Sequence, residues 1–359
     1  MSTRSIYTLP TEQTGWALHG NTTVQFAWEY GEARERLLTL YGKGKTKQWD
    51  ANFRIDWSQE VDPENPLQLP DATTGVYGTP TWERMTEKER TELRIHGQAW
   101  RISQFLHGEQ GALICASRIV ETVPDLDSKF YAATQVIDEA RHVEVYSRYL
   151  HEKIELAYPI NKQLQLLLEQ TLTDSRWDFV YLGMQVLIEG LALAAFGVIR
   201  DTTTDALAKA IHTYVMEDEA RHVAFGRIAL RDFYPQLTAS ERKEREEFVV
   251  EACHLMNERL VPTEVYERLG LPKNEYKAFL AGASSLAQLR RFLFMRIVPT
   301  IKDIGLWGAP VQRAYEQMGV LDFANVDVGG LLDADVAAAE QMDARRLQVA
   351  STIAAAGQN

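Results

Sequence analysis

Asp138-Glu139-Ala140-Arg141-His142 decides the reading of this sequence, because it returns eighty positions later as Asp218-Glu219-Ala220-Arg221-His222. On a helix, residues i and i+3 share a face, so Glu139 and His142 can reach one ion, and so can Glu219 and His222. Imidazole with carboxylate suits iron or manganese. Two more glutamates keep the same period: Glu109 and Glu189 are eighty apart, and each lies thirty positions before the glutamate of its own pentapeptide. A duplicated pair of helices is the simplest origin of that spacing. Glu189 sits in Val186-Leu187-Ile188-Glu189-Gly190-Leu191-Ala192, and a carboxylate in such apolar company is costly unless it is paired or holds metal. Glu109 sits among small residues in His107-Gly108-Glu109-Gln110-Gly111-Ala112. The six residues Glu109, Glu139, His142, Glu189, Glu219 and His222 therefore read as ligands of a two-metal site. Four ionised glutamates balance two divalent ions.

The residues around these six carry further expectations. A metal-bound imidazole normally gives its other N–H to a carboxylate or carbonyl. Asp138 and Asp218 are expected to orient the histidine of the opposite pentapeptide, with Arg141 and Arg221 paired to the aspartates. Gly108, Gly111, Gly190 and Ala192 either leave room for a substrate beside the metals or let helices pack closely. A third Glu-x-x-His, Glu251 with His254, lacks the flanking aspartate, arginine and upstream glutamate, and reads as a coincidence of one helix face. His212 lies two turns before Glu219 and reads as a core or pocket-rim histidine. His107 points away from the face of Glu109. Tyr146, Tyr149, Tyr181 and Tyr214 lie on the ligand helices, where packing is the default and a redox role the alternative.

Helical periodicity and capping signals set the architecture. Residues 1–80 read as an irregular N-terminal segment packed on the body, with scattered prolines and one short helix from Gln25 to Tyr41. Thr86 with Glu89 makes a capping box that opens a helix to about Val123. A second helix runs from Asp125 to about Ala157. A third runs from Lys162 to Arg200 with a kink near Asp174. A fourth runs from Thr204 to Tyr234. Thr238 with Glu241 opens a fifth, to about Leu260. Such lengths fit a bundle with ligands facing inward from neighbouring helices. The fold class is all-α: a four-helix bundle over 81–260, with additional helices in an extension over 261–359. Gly329-Gly330 reads as a break before an alanine-rich tail.

Composition bounds the function. The net charge of -12 argues against nucleic acid and anionic membranes as partners. The cysteines, Cys115 and Cys253, form no CxxC pair and read as small core residues in a reducing compartment. The first sixteen residues lack the apolar core of a signal peptide, and the run Val186 to Ile199 looks too short to span a bilayer. These features together suggest a cytoplasmic protein.

At the six residues the chain resembles the ferritin-like di-iron carboxylate superfamily. That group includes bacterial multicomponent hydroxylases, arylamine N-oxygenases, acyl-carrier-protein desaturases and the small subunit of ribonucleotide reductase. The resemblance spans roughly Thr86 to Leu260 and matches the order Glu109, Glu139-x-x-His142, Glu189, Glu219-x-x-His222. It departs at two places: the hydroxylases carry a threonine four positions after the third glutamate, here Leu193, and the arylamine N-oxygenases carry a histidine four positions before the last glutamate, here Val215. The resemblance implies two iron ions, or a manganese–iron pair, and a monooxygenase that uses dioxygen to hydroxylate or N-oxygenate a small organic molecule. It also implies an electron donor such as a ferredoxin or reductase. A homodimer is expected on general frequency. Desaturation of a carrier-bound acyl chain is one alternative, and a radical-generating or metal-storage protein without organic substrate is another.

Overall fold

Caps and breakers place the long helices where the sequence puts them. The computed structural model describes residues 34–272 and 291–356, together with Thr8 and Val24. Helix α1 (Glu35–Thr46) is followed by the short α2 (Ala51–Arg54) and α3 (Pro80–Arg84). The expected helix from Gln25 is therefore seen only from Glu35; its earlier part lies outside the described residues. Thr86 Oγ1 accepts from the Glu89 N–H and the Glu89 carboxylate accepts from the Thr86 N–H, which starts α4 (Glu87–Thr122). Asp125 caps α5 (Leu126–Tyr149), which runs on as one π-helical turn, Leu150–Ile154. Asp205 caps α9 (Ala206–Phe233), and the capping box of Thr238 and Glu241 starts α10 (Ala239–Glu258).

The third expected helix is two. Asp174 turns to extended backbone and its carboxylate accepts from the Arg176 N–H at 2.8 Å, which ends α6 (Lys162–Thr173). The chain then resumes as α7 (Trp177–Tyr181), a π-helical segment Leu182–Ile188, and α8 (Glu189–Thr202). Because these join end to end, Trp177–Thr202 is long and apolar enough to cross a membrane, contrary to the expectation from Val186–Ile199 alone; 78% of its most apolar window is buried inside the protein. Beyond α10 come α11 (Thr263–Arg268), α12 (Ile297–Asp303), α13 (Ala309–Gln317) and α14 (Val328–Ala356). Gly329-Gly330 is no break: both lie in the first turn of α14, where the Asp327 carboxylate accepts from the Gly330 N–H. No β-strand occurs among the described residues.

Helix α4 packs on α5, and α8 on α9, while α14 lies along α9. The apolar core divides in two. One part takes Ala112–Ile119 of α4, Tyr131 and Ala132 of α5, and Phe225–Leu230 of α9. The other takes Leu93–Phe105, Val145–Tyr149 and Leu207–Val223 from the same helices. On α4, α5 and α9 the change from one part to the other falls at the predicted ligands. A polar layer thus crosses the middle of an apolar bundle.

Candidate metal centre

The four bundle helices bring all six predicted ligands into that layer. Glu109, Glu139, His142 and Glu219 offer one set of ligand atoms within 4.8 Å of one another, and Glu139, Glu189, Glu219 and His222 offer a second. Glu139 and Glu219 belong to both sets, so two ions could share them as bridges. His142 Nδ1 lies 3.0 Å from Glu219 Oε1 and 3.3 Å from Glu109 Oε2 and Glu139 Oε2. His222 Nδ1 lies 3.0 Å from Glu139 Oε1 and 3.5 Å from Glu219 Oε2. The i, i+3 spacing sets both pairs. Glu189 is the first residue after the π-helical segment, whose extra residue per turn sets the direction of its side chain.

The aspartates cross between the pentapeptides as expected. Asp218 Oδ2 lies 3.2 Å from His142 Nε2, and Asp138 Oδ2 lies 3.2 Å from His222 Nε2. Arg141 donates to Asp138 and, at 3.0 Å, to Asp218; Arg221 donates to Asp218 and, at 3.5 Å, to Asp138. The sequence reading missed three further donors. Gln48 Nε2 donates to Asp138 at 2.7 Å, and Trp49 Nε1 to Asp218 at 2.8 Å. Gln135 Nε2 donates to both Glu139 and Glu189 at 3.0 Å. Gln135 was findable, one turn before Glu139 on the same face. Gln48 and Trp49 were not, since their place depends on a tertiary contact from outside the bundle.

The donor set fits metal on its own chemistry. Glu139 Oε2, Glu189 Oε2, both Glu219 oxygens and His222 Nδ1 are buried without a hydrogen-bond partner among the described residues. Close approach without hydrogen bonding is what lone pairs directed at a common ion produce, and buried polar atoms are otherwise satisfied. Burial, and then the charge of Glu219, pushes the Glu109 carboxyl up to about 8. Burial and the charges of Glu219 and Glu139 hold Glu189 well above the ordinary carboxylate range. Burial acts the same way on Glu139, but the His222 and His142 imidazoles outweigh it and hold Glu139 low. Burial would lower both histidines, yet Asp218 with Glu109 raises His142, and Glu139 with Glu219 raises His222. The layer concentrates negative charge and draws cations to its centre.

The remaining candidates separate cleanly. His107 Nε2 lies 2.9 Å from the Tyr158 carbonyl, away from the ligands. His212 belongs to neither candidate ligand set: its Nδ1 donates to the Ala208 carbonyl at 2.7 Å, its Nε2 is buried without a partner among the described residues, and its ring packs against Phe105, Tyr146 and Phe196. Glu251 accepts from Gln170 on the outer face of α10, and His254 is exposed there, so the third Glu-x-x-His takes no part. Tyr149 donates to the Pro66 carbonyl and Tyr214 to Asp343, while Tyr181 packs on Phe225. Tyr146 is fully buried, with its hydroxyl unpartnered among the described residues. Cys115 and Cys253 are buried free thiols.

A small cavity of about 20 Å³ adjoins the cluster, lined by Gly108, Glu109, Glu189 and Glu219 among others. A larger one of about 160 Å³ lies outside it between α4, α8, α11 and the turn that follows α10, and Gln104, Phe105, Ala192 and Arg259 line both. The small residues serve both expected roles. Gly108 has open space where a Cβ would stand and Ala192 lines both cavities. A Cβ on Gly111 would meet Leu168 at 2.5 Å and one on Gly190 would meet Ile297 at 3.1 Å, so these two allow close packing.

Bundle and centre together define a ferritin-like di-iron carboxylate protein, an oxygen-dependent oxidoreductase acting on a small organic substrate. The family model of p-aminobenzoate N-oxygenase AurF matches residues 31–305, and the chain belongs to that family. Val215, at the position of the arylamine N-oxygenases' extra histidine, is fully buried, and no other histidine replaces it at the cluster among the described residues. No curated protein matches the chain. Among solved structures, an R2-like ligand-binding oxidase with aerobically reconstituted metal cofactor after photoconversion is 16% identical, with a TM-score of 0.47, covering 76% of this chain and 95% of that chain. An R2-like ligand-binding oxidase with aerobically reconstituted Mn/Fe cofactor after a long soak is also 16% identical, with a TM-score of 0.45 and coverage of 76% and 94%. These figures mark a distant likeness and say nothing of this chain's chemistry.

Proposed function

We propose that Glu109, Glu139, His142, Glu189, Glu219 and His222 hold two iron ions, or one manganese and one iron, and that the chain N-oxygenates or hydroxylates a molecule of about one aromatic ring. The observation that carries this reading is the pair of adjoining cavities leading to the glutamates. A cavity of about 160 Å³ is close to the roughly 150 Å³ that accommodates benzene in a protein core. The bound metals would supply the electrons and the oxygen-binding positions.

The protein's own residues do the rest. Gln135 holds the Glu139 and Glu189 carboxylates in one orientation. Asp138 and Asp218 fix both imidazoles with Nδ1 toward the centre. Phe105, Ile188 and Phe196 give the inner cavity an apolar wall opposite Glu109, Glu189 and Glu219. A ferredoxin or reductase would deliver the electrons each turnover consumes.

The test is turnover of the iron-loaded, reduced protein with aromatic amines under isotopically labelled dioxygen. The expected result is a product carrying labelled oxygen and about two ions per chain by metal analysis. Two bound ions without any labelled product from aromatic amines, or from the same rings without the amine, would sink the oxygenase reading.

A further inference from the structure

The outward faces of the bundle helices differ in charge. The outer face of α10 is charged, exposing Glu244, Glu247, Glu251, His254 and Glu258. The outer face of the α4–α5 pair is not. Between Arg101 and Arg118 of α4, and between Lys129 and Glu144 of α5, no exposed or half-buried residue is an aspartate, glutamate, lysine or arginine. The charged residues of those two stretches, Glu109, Asp138, Glu139 and Arg141, are all buried in the polar layer. What reaches solvent instead is apolar: Ile114, Phe130 and Ile137 are 47%, 39% and 55% exposed. Leu113, Val136 and Val143 are half-buried beside them and belong to neither part of the core.

These residues have the spacing of a second packing face. On α5, Phe130, Ala133, Ile137 and Ala140 step by three, four and three; on α4, Leu106, Gln110, Leu113 and Ser117 step by four, three and four. A 3–4 repeat of apolar and small residues is the pattern that meets another helix, and α4 and α5 already spend a different face on the core. Among the described residues the flanking helices stop short of this one. Helix α6 meets α4 at Gly111, where Leu168 sits, and α1 meets α5 at Thr134, beside Gly44. The open face lies between those two contacts. At about 1.5 Å per residue, residues 106–120 rise about 22 Å, and two helices side by side are about 20 Å wide, so the uncharged patch covers roughly 450 Å². That suits the apolar centre of an interface of about 800 Å² per partner, with a polar rim around it.

We infer that this face binds a second copy of the chain, in a two-fold dimer that packs the α4–α5 pair of one protomer on the same pair of its partner. Charge argues for a copy over a different protein. The chain carries a net charge of -12, so two copies repel each other least through a face that has none. A partner chosen by charge would find nothing here to select it, whereas a 3–4 face meets its own image without needing an opposite sign. Glu109, Glu139 and His142 stand on the inner side of the same two helices, so the dimer sets two metal centres back to back. The inference does not depend on what those centres do.

The test is the mass of the full-length, metal-loaded protein by sedimentation equilibrium. At micromolar concentration the expected mass is twice the 40.8 kDa of one chain. The double variant Ile114→Glu/Ile137→Glu should weaken self-association at least about 100-fold, since it places like charges across the contact. Leu347→Glu, at a residue 65% exposed on α14, should leave the dimer intact. Raising the salt concentration should not loosen the dimer, because apolar contact holds it and salt screens the repulsion. A second measurement avoids added charge. Cys115 and Cys253 are buried, so a maleimide reports on a single cysteine introduced by Ala133→Cys. That thiol should react slowly in the dimer and fast once Ile114→Glu/Ile137→Glu is added. A monomeric wild type overturns the inference, as does a dimer that survives Ile114→Glu/Ile137→Glu or dissociates in salt. Slow labelling in a monomer would also overturn it, because the face would then be covered by the chain's own residues.

Discussion

Replacing Asp218 with asparagine separates the two metal positions. Asp218 Oδ2 receives His142 Nε2 at 3.2 Å, Arg141 Nη2 at 3.0 Å and Trp49 Nε1 at 2.8 Å, and Oδ1 receives Arg221. Every neighbour is a donor. Asparagine keeps the shape, but its amide must present N–H to one of them, and the charge that balances the arginines is lost. Removing the outer partner of a metal-bound histidine costs about 10- to 100-fold in metal affinity, or about 1.4 to 2.8 kcal/mol. The loss falls on the ion held through His142, because His222 is oriented by Asp138 instead. Iron content measured against a graded chelator should therefore show one ion leaving at about 10- to 100-fold lower chelator concentration, and the second leaving as in wild type. Asp138→Asn is the mirror case and should weaken the ion held through His222. A thermal melt confirms that each variant is folded. If both ions leave in one step in either variant, or if neither moves, the crossed orientation of the histidines does not govern affinity and the reasoning fails.

Four further outcomes are expected. Glu189→Ala should remove one ion and keep the other by metal analysis, since Glu189 belongs to only one ligand set; retention of both counts against the ligand assignment. In metal-stripped protein, the raised carboxyl of Glu109 stabilises the fold fully below its ordinary value of 4.5 and loses that contribution as pH rises toward about 8. The raised histidines act in the same direction above 6.5. The melting temperature of stripped protein should fall between about pH 6.5 and 8, above the range in which the lowered His96, His107 and His212 act in the opposite direction, and metal loading should flatten that slope; a rise across that window contradicts the electrostatics. Gly226→Ala should cost about 1 to 3 kcal/mol by denaturant unfolding, because its Cβ would meet Gln185 Cβ at 2.5 Å. Gly108→Val enters open space and should leave stability within about 0.5 kcal/mol of wild type, since valine is no poorer than glycine in a helix, while narrowing the inner cavity it lines, read as weaker ligand binding.

The bundle and the clustering of the six residues were legible because local rules dictate them. Helices α4, α5, α9 and α10 begin at side-chain caps, α4 and α9 stop two residues before a proline, and the Glu–His pairs follow from the i, i+3 spacing. The duplicated pentapeptide located the crossed aspartates as well. What was hidden depends on non-local contacts. The π-helical segment before Glu189 leaves no mark on apolar periodicity. The two glycines after Asp327 look like a breaker until the aspartate is seen to cap them. Gln48 and Trp49 lie some ninety and a hundred and seventy positions from the aspartates they serve.

The crossing of the aspartates has a consequence for ancestry. A half-length chain carrying one Asp-Glu-Ala-Arg-His helix would make the same bonds only with a second copy of itself, its aspartate reaching the histidine of its twin. Within a single chain the interface has become internal, and the halves are released from identity. They have used that freedom: the amide of Gln48 covers one aspartate and the indole of Trp49 the other. Two positions built on one plan thereby acquire different neighbours, and so different electronic character. That is the distinction a centre needs if its two ions are to do unequal jobs.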